Sequence, residues 1–342
     1  MNMEFIGKLP IPKEIKEQYP VSDEAAEIKI SRDEEIKSIF SGEDSRKLLI
    51  AGPCSADRED SVLDYVSRLR DIQEQVKDKI LIIPRVYTSK PRTTGNGYKG
   101  MLHYPDPGEK PDLIKGVIAI RKLHMRVLTE YGFGSADEML YPENIRYLND
   151  LLSYVAVGAR SVENQQHRLT SSGLNAPVGM KNPTSGDMGI MMNAIHTAQS
   201  GHTFIYRGWE VRSKGNPFAH AILRGFVDLE GKSHSNYEKA DLEKLLGLYS
   251  ESGLNNPSVI VDANHANSGK NADRQIDIVG NVISSCKSDG EINKFVKGFM
   301  IESYIEDGCQ SVDGTVYGKS ITDPCLGWDK TEKLILSLAD RI

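Results

Sequence analysis

The chain has 342 residues, 39% hydrophobic and 26% charged, with a formal net charge of -6 and a pI near 5.8. That composition supplies a core, and its acidic balance excludes a general nucleic-acid surface, which needs a broad basic face. No stretch approaches the ~20 apolar residues of a membrane span, no secretory signal opens the chain, and Cys54, Cys286, Cys309 and Cys325 form no CxxC pair. The expectation is a cytoplasmic protein without a disulfide framework.

In chain order, a polar N-terminal arm leads into SRDEEIKSIFSG, which reads as a short helix from Ser31. Ser31 and Glu34 have capping-box spacing, and Gly42 follows the last apolar residue. Residues 1–44 are therefore an arm and a short helix, and 45–342 one catalytic domain. Eight apolar strand candidates follow, at 47–54, 80–87, 135–140, 154–160, 176–182, 202–208, 258–265 and 298–305. Between them run helical patterns such as Val62, Val66, Leu69, Ile72 and Val76, spaced as one buried face requires. Nearly continuous apolar strands alternating with amphipathic helices imply parallel strands covered by helices. Eight such units predict an α/β fold of the closed (β/α)8 TIM-barrel type. In the sixth unit HTFIYRG, VRSKGNP and HAILRG read as a β-hairpin inserted before a helix near 237–252, expected above the barrel mouth.

Barrel catalysts come from the C-terminal strand ends, so polar residues there carry weight. Arg85, Lys90, Arg92, Arg160, Lys181 and Arg224 all fall at such positions. Six cations around one mouth would repel one another unless anions joined them, and phosphates suit the planar fork of arginine. In KPRTTGNGYKG (90–100), Gly95, Gly97 and Gly100 let the backbone approach a ligand, and Thr93 and Thr94 offer hydroxyls. The loop is neither a Walker loop nor a GxGxxG turn. Cys54, His265, Glu302 and Asp323 form a second polar group at neighbouring strand ends. Their S, N and O donors suit Mn²⁺, Fe²⁺, Co²⁺ or Zn²⁺ better than Ca²⁺ or Mg²⁺. Taken singly, Cys54 also reads as a small buried hydrophobe and His265 as a hydrogen-bonded loop histidine. Trp209 and Trp328 read as packing elements.

Several strings are familiar: AGPCS (51–55), KPRTT (90–94), GARSVENQQHR (158–168), PVGMKN (177–182), ILRG (222–225), DANHANSGK (262–270), MIES (300–303) and YGKSITDPCLGW (317–328). In this order they resemble the type I 3-deoxy-D-arabino-heptulosonate 7-phosphate (DAHP) synthases, from about residue 45 to the end of the chain. The resemblance implies a metal-dependent barrel that condenses phosphoenolpyruvate with erythrose 4-phosphate and releases phosphate, the first step of the shikimate pathway. It implies Cys54, His265, Glu302 and Asp323 as metal ligands, with Mn²⁺ first and Fe²⁺, Co²⁺ or Zn²⁺ as alternatives. Arg85, Lys90, Arg160, Lys181 and Arg224 become the phosphoenolpyruvate cage, and Lys90, Pro91, Arg92 and Thr93 the erythrose 4-phosphate motif. Lys90, His265 and Cys54 become the catalytic residues. A homodimer or homotetramer, with the N-terminal arm in subunit contacts, is implied as well.

The sequence departs from the family in two places. TTGNGYKG is one residue longer than the family's TTVGWKG, which leaves the seat of Lys99 open. Ile145 and Asn175 stand where feedback-inhibited members carry a proline and a serine around an aromatic amino acid, so inhibition by phenylalanine or tyrosine is expected to be weak or absent. Three rival readings remain. A 3-deoxy-D-manno-octulosonate 8-phosphate synthase would carry KANR in place of KPRT, a sugar-phosphate sensor would not need the metal quartet, and a Schiff-base aldolase would use Lys181.

Overall fold

The computed structural model describes all 342 residues. Eight parallel strands form the centre: β1 (Lys47–Gly52), β2 (Ile80–Pro84), β3 (Ser135–Glu138), β4 (Leu152–Val157), β5 (Val178–Lys181), β6 (His220–Leu223), β7 (Val259–Asp262) and β8 (Val296–Glu302). They pair in the order β2-β1-β8-β7-β6-β5-β4-β3. A single bridge beyond β2 closes the ring, where the Val86 N–H donates to Ala136 O at 2.9 Å. The helices are α1 (Pro12–Gln18), α2 (Asp23–Ser41), α3 (Glu59–Val76), α4 (Leu113–Tyr131), α5 (Gln165–Ser171), α6 (Met188–Gln199), α7 (Lys239–Ser252), α8 (His265–Ser268), α9 (Arg274–Ser288), α10 (Gly290–Phe295) and α11 (Trp328–Arg341). No helix is long and apolar enough to cross a membrane.

The strands read as unbroken apolar runs because both faces are buried. Leu49 and Ala51 of β1 join the large cluster beneath the helices, while Leu48 and Ile50 point into the barrel. Ile50 is in register with both Ile83 and Met300, so these three residues form part of one interior layer. The C-terminal turn of α2 closes the end of the barrel where the strands begin. Ile36, Ile39 and Phe40 join the interior cluster, and the Phe40 ring lies 4.2 Å from that of His220.

Several expectations need correction. The helix predicted from Ser31 begins at Asp23, capped by Ser22, whose hydroxyl accepts the Ala25 N–H. Its upstream half hid because Lys29 serves there as a core residue, burying its stem and placing its ammonium 2.5 Å from Asp33. Gly42 does end the helix, in the left-handed conformation at φ +86°. The sixth barrel strand is His220–Leu223, fully buried, and not HTFIYRG. HTFIYRG instead supplies Thr203–Tyr206, one arm of a separate antiparallel hairpin with Trp209–Arg212. That hairpin precedes β6 in a helix-to-strand connection and is tied to the turn after β3, where the Tyr206 hydroxyl donates to Pro142 O. Trp209 on it is 70% exposed, whereas Trp328 packs against Tyr65 as expected. Strand and helix also fail to alternate between β3 and β4, where a 3₁₀ turn (Pro142–Tyr147) stands in place of an α-helix.

Candidate active site

At the C-terminal ends of the strands lies a cavity of about 270 Å³. Every predicted site residue except Glu302 lines it: Cys54, Arg85, Lys90, Pro91, Arg92, Thr93, Arg160, Lys181, Arg224, His265 and Asp323. Glu302 is fully buried at the end of β8, where Arg85 Nη1 donates to its Oε1 at 2.7 Å.

The expected ring of uncompensated cations is in fact half neutralised. Arg85 is paired with Glu302, Lys181 Nζ lies 3.2 Å from Asp262, and Lys90 Nζ 2.9 Å from Asp323. Arg92, Arg160 and Arg224 make no ion pair. Arg224 is 9% exposed, and its Nη1 is buried with no acceptor. Burial, reinforced by Arg160, lowers the Arg224 pKa below its ordinary value. A buried guanidinium donor without an acceptor costs free energy unless a ligand supplies one.

Beside these cations, the donor atoms of Cys54, Glu302 and Asp323 lie within 4.8 Å of one another. His265 stands just outside that trio, its Nε2 3.7 Å from Glu302 Oε1. Lys90 Nζ stands among the donors, 2.7 Å from Cys54 Sγ. Burial, with Glu302 beside it, pushes the Cys54 thiol up to about 11. Burial opposes the charge of Glu302, but Arg85, His265 and Lys90 together hold its pKa down to about 2. Burial also opposes the Lys90 charge, yet Cys54, Glu302 and Asp323 carry its pKa above the ordinary value. The trio gathers around a cation already, and with the imidazole beside it the set fits a divalent transition ion.

Local backbone geometry sets these positions. His265 adopts φ +50°, a left-handed conformation unusual outside glycine, at the turn after β7. The Asn264 N–H donates to Asp262 Oδ1, and Asn264 Nδ2 donates to Glu302 Oε2 at 2.7 Å, which fixes that turn. In the 90–100 loop, Gly100 at φ +94° presses on its own chain, since a Cβ there would meet Thr88 O at 2.3 Å. Gly100 thus serves the packing of the loop itself, whereas a Cβ at Gly95 would meet nothing within 4 Å. Arg92 Nε donates to Tyr98 O, and Lys90 N to Lys99 O. Lys99 is not among the residues lining the cavity.

Sequence reasoning missed Asp262, Glu138, Tyr87 and Lys270. Asp262 is fully buried beneath Lys181, with its Oδ2 2.8 Å from His265 Nδ1 but poorly aligned for a hydrogen bond. Glu138 and Asp262 are the last residues of β3 and β7, so strand-end position alone could have found both. Tyr87 lies under the Arg85 guanidinium at 4.0 Å, and Lys270 Nζ reaches Asp323 Oδ1 at 3.2 Å.

Residues 18–336 match the DAHP synthetase I family. A phospho-2-dehydro-3-deoxyheptonate aldolase of Haemophilus influenzae is 36% identical over 99% of this chain and 93% of its own length. The Tyr-sensitive enzyme of that name from Escherichia coli K12 is 37% identical over 96% of this chain and 91% of its own. The solved structure of the Francisella tularensis phospho-2-dehydro-3-deoxyheptonate aldolase superposes with a TM-score of 0.92 at 29% identity, covering 100% of this chain and 98% of that one. With the barrel and its cationic mouth in the same order along the sequence, the chain belongs to the DAHP synthetase I family, the type I DAHP synthases.

Proposed function

We propose that this mouth condenses phosphoenolpyruvate with D-erythrose 4-phosphate and water to give 3-deoxy-D-arabino-heptulosonate 7-phosphate and inorganic phosphate. One observation carries the reading: three arginines without carboxylate partners share a rim with Cys54 and Asp323, and Lys90 donates to both that thiol and that carboxylate. Arg85, Lys90, Arg160, Lys181 and Arg224 take the carboxylate and phosphate of phosphoenolpyruvate, and Lys90, Pro91, Arg92 and Thr93 the aldose phosphate.

Cys54, His265, Glu302 and Asp323 would hold a divalent ion, Mn²⁺ first, which when bound polarises the aldehyde oxygen as a Lewis acid. The remaining work belongs to side chains. The cage presents carbon three of phosphoenolpyruvate to the aldehyde carbon, and the new carbon–carbon bond draws the electrons of the enol double bond. Lys90 gives a proton to the oxygen that was the aldehyde's. Carbon two, now electron-poor, takes the oxygen of water, whose proton passes to His265. The hydroxyl so formed on carbon two then gives up its proton to the departing phosphate as the carbon–oxygen bond to phosphate breaks, the carbonyl of the product forms, and phosphate leaves with the electron pair into the arginine cluster.

A Schiff-base mechanism is disfavoured because Lys181 is ion-paired with buried Asp262, whereas such a nucleophile needs a free amine. The test is phosphate release from phosphoenolpyruvate with four- and five-carbon aldose phosphates, with and without chelator. Release with erythrose 4-phosphate, abolished by chelator, is expected. Release with arabinose 5-phosphate alone, or turnover indifferent to chelator, would overturn the reading. As for regulation, Ile145 lines a cavity of about 230 Å³ with Phe204 and Tyr206, which Asn175 does not reach. With those two replacements, phenylalanine and tyrosine are proposed to inhibit weakly or not at all; strong inhibition by either at low concentration would refute this.

A further inference from the structure

The tip of the 90–100 loop holds a residue pair that the reaction does not use. Of the chain's asparagines, only Asn96 is followed by a glycine. Such a pair reacts with itself in water. With no side chain on the second residue to obstruct it, the backbone nitrogen can reach the asparagine's side-chain carbonyl carbon and close an imide ring. Whether it does so in a folded chain depends on what else holds the two groups.

Here nothing holds them. Asn96 and Gly97 are both exposed, and the Gly97 N–H donates to no carbonyl. The loop's side-chain bonds belong to their neighbours, Arg92 Nε to Tyr98 O and the Tyr98 hydroxyl to Ala56 O. The base of the loop is tied by Lys90 N on Lys99 O, which leaves the tip free to bend. Buried asparagines of the same mouth are the contrast. Asn182 Nδ2 donates to Pro183 O and Gly225 O, and Asn267 Nδ2 to Leu223 O and Asp262 O. Charge favours the reaction as well. A Cβ on Gly97 would lie 3.5 Å from Arg92 Nε and 3.6 Å from its Cζ, so the guanidinium stands against the reacting amide. A cation there steadies both the ionised backbone nitrogen and the oxyanion that forms on the side-chain carbon.

We propose that Asn96 is a self-modification site, where deamidation puts a carboxylate at the loop tip and neutralises Arg92. The Gly97 nitrogen gives its proton to water and bonds to Asn96 Cγ. The bond from Cγ to the side-chain nitrogen breaks, and ammonia leaves with the electron pair. Water then opens the imide, at the side-chain carbonyl to give aspartate or at the backbone carbonyl to give isoaspartate. Water enters, ammonia departs, and nothing is oxidised or reduced. Because Asn96 lines the mouth, the new charge faces the anions that Arg92 would hold. That Arg92 serves the aldose phosphate rests on the reaction proposed above; the chemistry at Asn96 does not.

The test is peptide mapping by mass spectrometry of the full chain held in mildly alkaline, heavy-oxygen water. Asn96 should gain a labelled carboxyl, as separable aspartate and isoaspartate forms, at a rate within a few-fold of that in the denatured chain. Asn96→Gln, whose longer side chain closes its ring far more slowly, should keep its amide. Asn96→Asp, the finished product, should raise the KM for erythrose 4-phosphate roughly tenfold, because a carboxylate beside Arg92 repels the incoming phosphate and competes for the guanidinium. An Asn96 still intact in the folded chain when the denatured chain has fully converted would overturn the proposal, as would an Asn96→Asp enzyme with the wild-type KM. Mapping needs no turnover, so if the mouth runs another reaction the modification still stands or falls on the label.

Discussion

Arg92, Arg160 and Arg224 are the mouth's uncommitted charges, and they separate substrate binding from architecture. Because Arg92 leans on its own loop only through Tyr98 O, removing it should spare the fold. Arg92→Ala is expected to raise the KM for the aldose phosphate roughly 10- to 100-fold, the loss of one or more charge-assisted hydrogen bonds, while the KM for phosphoenolpyruvate stays put. Steady-state kinetics with each substrate varied will decide; equal rises in both would remove Arg92 from the acceptor site. Asp262 is the opposite case, a fully buried carboxylate beneath Lys181. Asp262→Asn strands that ammonium and should cost about 3–5 kcal/mol in chemical denaturation, so a loss under about 1 kcal/mol would mean Lys181 has another partner. The contrast explains what could be read from the sequence at this scale. Cations at strand ends are conspicuous in an acidic chain, so Arg85, Lys90, Lys181 and Arg224 were found. The buried partner of Lys181, Asp262, looks like an ordinary residue of an apolar strand, and nothing in the spacing of Arg85 or Lys181 shows that their charges are already answered.

At the level of elements, legibility followed burial. β1, β2 and β8 were evident because two buried faces demand unbroken apolar runs, as in LLIAG and ILIIP. β6 was not, since HAIL offers only four residues and its first is a histidine, while the neighbouring hairpin alternates well on a half-exposed surface. That histidine makes a measurable prediction. His220 is fully buried, with Nδ1 facing Phe218 O and Nε2 facing the Tyr154 hydroxyl, both at 2.8 Å, under the Phe40 ring of α2. Burial lowers its pKa from 6.5 to about 4. Between those values the unfolded chain binds a proton that the folded chain refuses, so stability rises with pH across this window. As pH falls from 6.5 to 4, about 3 kcal/mol should be lost through this residue. Denaturation midpoints of wild type and His220→Gln across pH 4 to 7 should converge at low pH; parallel curves would show that His220 does not govern the slope.

For the whole molecule, the largest apolar side chains left open lie mainly outside the barrel, on the N-terminal arm and the hairpin, with Leu229 and Ile30 open elsewhere. α1 is pinned to the barrel by buried Ile15, by the Tyr147 hydroxyl on Pro10 O, and by Lys16 at 3.2 Å from Asp150. Ahead of it Met3, Phe5 and Ile6 stand 69%, 85% and 95% exposed, and on the hairpin Ile205 and Trp209 stand 76% and 70% exposed. Large apolar side chains left open on two appendages, in a chain that buries its eight barrel strands on both faces, mark a contact surface. We propose that they meet their equivalents in a second copy, giving a homodimer or homotetramer. Aromatic residues at the centre of such contacts commonly cost 2 kcal/mol or more when truncated, roughly a thirtyfold loss of affinity. Light scattering should therefore give a mass that is a multiple of 38.0 kDa, and Phe5→Ser with Trp209→Ser should shift it toward the single chain at micromolar concentration. Because neither residue lines the mouth, the separated chains should keep their hydrogen-bonded barrel, with unchanged far-ultraviolet circular dichroism. A wild type that stays a single chain at every concentration would leave these side chains without the partner proposed for them.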